Sequence, residues 1–142
     1  MCLRVFLLGR AVPDSERLRL EEGARRLGAA FQKINFLRDL ATDWTVLGRN
    51  YFPGIHPGTL TEEQKQSLVA DIRADLDAAG SVIPDLPTSC RRAVAAAHAL
   101  FSVLTDRVSS TPASELLSTR VRVSTRTKLA ILARSSMPSR AL

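Results

Sequence analysis

Leu27-Gly-Ala-Ala-Phe-Gln32-Lys-Ile-Asn35-Phe-Leu-Arg38-Asp39-Leu-Ala-Thr-Asp43, followed by Gly48-Arg49-Asn-Tyr51-Phe-Pro53, is the stretch on which the reading of this chain turns. On a helix of 3.6 residues per turn, Gln32, Asn35, Asp39 and Asp43 fall at about 0°, 300°, 340° and 20° around the axis. The four polar side chains form one narrow stripe. Phe31, Ile34, Phe36, Leu37 and Leu40 flank it, which predicts a helix that is apolar on almost every other side and buried in a bundle. Carboxylates lined up on such a helix are costly unless something cationic meets them.

Two partners satisfy that requirement. One is an Arg or Lys from elsewhere in the chain, giving a structural ion pair. The other is a hard divalent cation held by oxygen ligands: Asp39 and Asp43 bring charge, and Asn35 and Gln32 bring neutral amide oxygens. Magnesium takes one or two carboxylates and leaves its other positions to water and phosphate oxygens, which suits so sparse a set. Arg38 and Arg49 lie close by in sequence.

Gln32-x-x-Asn35-x-x-Arg38-Asp39-x-x-x-Asp43 with Gly48-Arg49-x-Tyr51-Phe52-Pro53 resembles the second aspartate-rich motif of the squalene/phytoene synthase family, and Arg120-Val-Arg122-Val-x-x-x-x-Lys128-Leu is similar to a segment near that family's C-terminus. The resemblance implies an all-α fold, here part of an isoprenoid-synthase (terpenoid synthase) helical bundle. It also implies Mg²⁺-dependent head-to-head condensation of two prenyl diphosphates, geranylgeranyl or farnesyl, in isoprenoid and carotenoid biosynthesis. Mn²⁺ is the alternative metal, and NADPH enters only for a squalene-type product. Carried over by position, Asn35, Asp39 and Asp43 hold the metal, and Gln32, Arg38, Arg49 and Arg120 contact diphosphate. Asp39 and Asp43 are thus the catalytic pair.

The resemblance covers the C-terminal half of the family's domain, as residues 1–134, with 135–142 expected to fray. The family's other D-x-x-x-D, on a facing helix of its N-terminal half, is expected to be missing. Phe101 stands where many relatives place a tyrosine toward the substrate. Met1-Cys2-Leu3 resembles an interior stretch, so a truncated product or a late start is expected, and turnover by this chain alone is not. The rival reading from another class is a non-catalytic helical interaction module that keeps the packing.

A chain of 142 residues suffices for one domain. Its net charge of +6 is uneven: no acidic residue follows Glu115, whereas Arg120, Arg122, Arg126, Lys128, Arg134 and Arg140 do. That tail suits a solvated basic face, a diphosphate pocket or an anionic lipid surface. Nucleic acid is disfavoured, because zinc-ligand spacing is lacking and the seven aromatic residues form no stacking platform. Cys2 and Cys90 do not make a disulfide scaffold, so the expectation is a cytoplasmic protein, with peripheral membrane contact left open. His56 and His98 lack metal-ligand partners at helical spacing and read as structural.

Along the chain, residues 2–9 read as the end of a helix, and a long helix is expected from about Glu16 to Val46. Gly23, Ala24 and Gly28 are taken to lie near its polar stripe, leaving room for a ligand or for close packing. Asn50 to Pro57 reads as a loop, and Thr61-x-x-Gln64 as a capping box. The helix it opens runs to about Ala79, with Leu68, Ile72, Leu76 and Ala79 inward and Asp75 on the wet face. A third helix from about Ser89 to Val108, a short one after Pro112, extended chain at Arg120–Val123 and a final helix at about Thr125 to Arg134 complete the expectation.

Overall fold

Pro13 and the acidic residues Asp14 and Glu16 open the long helix α1, Asp14–Leu47, where negative charge meets the positive end of the helix dipole. The computed structural model describes the backbone of residues 12–47 and 60–136, and the side chains of 12–39 and 60–134. The readings at residues 2–9, Arg49 and Asn50–Pro57, and the fraying of 137–142, lie outside the described residues. Further along come α2 (Glu62–Gly80), a 3₁₀ turn (Ile83–Asp85), α3 (Thr88–Ser110), the single turn α4 (Ala113–Leu116) and α5 (Thr125–Ser136). No strand occurs among the described residues, and no helix of them is long and apolar enough to cross a membrane.

Local chemistry sets these boundaries. The Thr61 hydroxyl accepts from the Gln64 N–H at 3.2 Å while the Gln64 side chain accepts from the Thr61 N–H at 3.0 Å, closing the capping box of α2. Pro84 and Pro87 end the α2 segment and open α3. Ser124 caps α5 by accepting from the Thr127 N–H at 3.2 Å.

Ion pairs reveal how the helices run. Arg19 meets Asp85, Arg26 meets Asp75 and Lys33 meets Asp71, so α2 and the turn after it descend as α1 ascends. Lys65 reaches Ser109 and Thr111, and Arg73 reaches Asp106, so α3 is antiparallel to α2. The core lies between them: Ala30, Ile34 and Leu37 of α1, Val69, Ile72 and Leu76 of α2, and Leu104 and Val108 of α3, closed by Leu116 and Val123. Leu20, Val82, Ile83, Leu86 and Cys90 make a smaller cluster at the other end. His98 bonds the Leu76 carbonyl at 2.9 Å, a helix-to-helix tie.

Three expectations change. α1 is buried on one face only, through Leu20, Gly23, Ala30, Ile34 and Leu37, because its described neighbours α2 and α3 cover a single side; Gln32 on the opposite side is exposed. Gly23 lies on the buried face, not beside the stripe: nine residues from Gln32 amount to two and a half turns. Asp75, expected to be wet, is 1% exposed.

A Cβ on Gly23 would collide with the Val82 side chain, whereas one on Gly28 would meet open space. Gly23→Ala is therefore expected to lose about 1–2 kcal/mol, overpacking outweighing the gain in helix propensity. Gly28→Ala is expected to gain about 0.5–1 kcal/mol. Urea unfolding of both variants checks this; midpoints moving in the same direction would contradict the packing of Gly23 on Val82.

Candidate anion-binding site

The polar stripe of α1 meets the extended segment before α5. Val123 is buried in the core, and the Arg107 guanidinium donates to the Arg122 carbonyl at 2.8 Å, so the segment is pinned along α3. Alternation then sends Val121 and Val123 inward, with Arg120 and Arg122 on the other side.

Arg120 Nε approaches Asp39 Oδ1 to 2.7 Å. Arg38 holds the same carboxylate in a bidentate grip, Nε to Oδ1 at 3.0 Å and Nη2 to Oδ2 at 2.5 Å. Burial pushes the Asp39 carboxyl up, but Arg38 and then Arg120 outweigh it and leave the group below the usual carboxylate range. The bond to Asp39 in turn raises the Arg38 guanidinium, against the effect of burial. Two guanidinium groups thus share one carboxylate, and by formal charge the cluster keeps one net positive charge.

Beside this cluster lies a cavity of about 450 Å³ lined by Arg38, Arg120, Arg122, Thr125 and Lys128, with Leu100, Phe101 and Leu104 as its apolar wall. Cationic forks converging on a concave space are suited to a phosphate or carboxylate guest. A second cavity of about 220 Å³, bounded by Leu20, Gly23, Leu27, Gly28, Val82 and Val94, is almost wholly apolar. Phe31 lines this second cavity and Phe101 the first, and the two rings stack with centroids 3.8 Å apart. A cationic compartment and an apolar one thus adjoin across one aromatic pair.

One unbroken helix carries Gln32, Asn35, Asp39 and Asp43. The structure brings Arg38, Asp39 and Arg120 together. Asn35 is half-buried one turn before Asp39, and Gln32 is exposed a turn earlier, away from the cavity wall. The Asp43 side chain and all of Arg49 lie outside the described residues. Arg122, Thr125 and Lys128 join the cavity wall without having been assigned to the site from sequence; the run of cations after Glu115 is the signal that marks Arg122 and Lys128, and no such signal marks Thr125.

One correction concerns the second aspartate pair. The D-x-x-x-D spacing does recur, at Asp71 and Asp75 of α2, the helix packed on α1. Both of its carboxylates bond Lys33, at 2.5 and 2.7 Å, and Arg26 bonds Asp75 at 2.9 Å. Lys33 and Arg26 stand about 115° and 135° around α1 from the centre of the stripe. The pair therefore serves an ion network between two helices and does not face Asp39. Among the described residues no group of three His, Cys, Asp or Glu side chains is gathered as a metal cage.

These features define an all-helical protein with a cationic cleft opening beside an apolar one. The squalene/phytoene synthase family model matches residues 1–55, a span that contains the whole stripe and Arg49, and the all-α fold accords with that helical family. No curated protein and no solved structure matches the chain.

Proposed function

We infer that the chain is the diphosphate-handling part of a prenyl transferase of the phytoene/squalene synthase type, acting in isoprenoid biosynthesis. The observation that carries this reading is the family match over residues 1–55, which falls on the helix whose Asp39 draws in Arg120 from far along the chain. The adjoining compartments support it, one cationic for a diphosphate and one apolar for a hydrocarbon tail.

Asp39 is ionised and part-exposed, and Asn35 shares its face, so these two with Asp43 are the residues that would hold Mg²⁺. Bound there, the ion would supply Lewis-acid neutralisation of charge developing on a leaving diphosphate. The chain's own contribution is to orient the anion: Arg38 and Arg120 offer charge-assisted donors, and Arg122 and Lys128 raise the local positive potential. Phe31, stacked on Phe101, forms part of the wall of the apolar compartment that would receive an allylic chain. Turnover we place in a chain that also carries the family's facing aspartate pair.

The competing module reading draws on the fact that Asp39 already gives both oxygens to arginines. Titration calorimetry with farnesyl diphosphate, with and without Mg²⁺, separates the two. Arg120→Ala is expected to weaken binding about tenfold to a hundredfold, the worth of one or two charge-assisted hydrogen bonds. Unchanged affinity with a lowered melting temperature would leave the ion pair structural and the module the better account.

A further inference from the structure

The apolar cavity has a bare floor where α1 lines it. Of the α1 residues in its wall, Ala24 and Gly28 are exposed and stand one turn apart. The two glycines of that wall are bare for different reasons. A Cβ on Gly23 would strike the Val82 side chain, so packing requires glycine there, whereas a Cβ on Gly28 would meet open space. Among the described residues no contact demands glycine at 28, and glycine inside a helix is less stable than alanine. What the missing side chain leaves is room in the cavity. Helical side chains lean over the turn before their own Cα, so a longer one at 28 would lie over Ala24 and along the cavity floor. The cavity follows α1 from Phe31, beside the cationic compartment, to Leu20, about 16 Å of helix, and Gly28 lies near the start of that path.

We propose that Gly28 is a specificity-determining residue, whose bare backbone sets the length of hydrocarbon chain that the apolar cavity accepts. The occupant is a linear isoprenoid tail whose anionic head lies in the adjoining cationic cavity. No charged residue lines the apolar wall, so a peptide or a nucleotide there would leave its polar groups without partners, whereas a hydrocarbon chain has none to satisfy. Gly28 also lies about 20° around α1 from Asp39, on the face that carries the polar stripe. A chain leaving a head held near Arg38 and Arg120 therefore passes Gly28 before it can reach Leu20. The inference rests on the reading of the cationic cleft as a diphosphate site, and a probe without a diphosphate separates the two.

Equilibrium dialysis of the full chain against dimethylallyl diphosphate, farnesyl diphosphate and farnesol tests it. Gly28→Leu is expected to weaken farnesyl diphosphate and farnesol about tenfold each, the worth of about two buried methylenes. Dimethylallyl diphosphate, whose tail is too short to pass residue 28, is expected to stay within about twofold. Gly28→Ala adds one methyl group and is expected to keep all three affinities within about twofold while raising the unfolding midpoint, which separates room in the cavity from stability of the helix. Farnesol weakened by Gly28→Leu while neither diphosphate binds would uphold the role of Gly28 and remove the diphosphate reading of the cleft. Equal losses for the short and the long diphosphate, no loss for farnesyl diphosphate and farnesol, or a native chain that binds neither of these two would overturn the proposal.

Discussion

Asp75→Ala is expected to destabilise the protein by about 2–3 kcal/mol, whereas Asp71→Ala, four residues earlier on the same helix, is expected to change stability by about 0.5 kcal/mol or less. Asp75 is 1% exposed and accepts from Arg26 at 2.9 Å and Lys33 at 2.7 Å, while Asp71 lies at the surface. Hydrogen bonds to charged groups contribute about 1.5–3 kcal/mol each, and breaking a fully buried pair costs about 3–5 kcal/mol. The lower figure applies because Arg26 and Lys33 are 49% and 30% exposed and recover hydration when their partner is lost. Burial pushes the Asp75 carboxyl up, yet Lys33 and Arg26 hold it below its ordinary value. Its contribution is therefore present above the ordinary carboxylate pKa and disappears in acid as the folded group takes up its proton. Chemical denaturation of both variants at neutral pH is the measurement; equal and small losses would mean that the α1–α2 ion network adds nothing to the fold.

That contrast also marks what the sequence could and could not disclose. Helix positions were legible because Thr61 with Gln64, Pro84 with Pro87, and Ser124 act locally, within one turn of the residues they cap. The motif residues Arg38 and Asp39 were legible from spacing, and Arg120 from its own similarity to a family segment. Asp75 was not. An aspartate among Arg73, Asp77 and other charged residues reads as solvent-facing, and only the packing of α2 on α1 brings Arg26 and Lys33 over it. The one-sided burial of α1 escaped for a related reason. Apolar flanks record how much surface a helix would gain by covering, whereas the described neighbours determine how much is covered.

Lys65 is a second buried charge that the pattern of α2 hides, and Lys65→Met is expected to cost about 3 kcal/mol. Its side chain is 1% exposed; Nζ donates to the Ser109 carbonyl at 3.0 Å and the Thr111 carbonyl at 2.5 Å, and pairs with Glu62 at 2.6 Å. It thus places a positive charge at the C-terminal end of α3, where unsatisfied carbonyls collect. Methionine fills much the same volume, so the loss measures the charge and its hydrogen bonds and not a cavity. Glu62 supplies a pH test of the same contact. Lys65 foremost, then Gln66 and the Ala113 N–H, hold its carboxyl down to about 2 against an ordinary 4.5. A depressed folded pKa means a contribution fully present above about pH 4.5 and lost as pH falls toward 2. The stability gap between the native chain and Lys65→Met is therefore expected to narrow through that window in urea unfolding measured at stepped pH. A gap constant from neutral pH down to pH 2 would show that Glu62 draws nothing from Lys65, and that the lysine acts on the end of α3 alone.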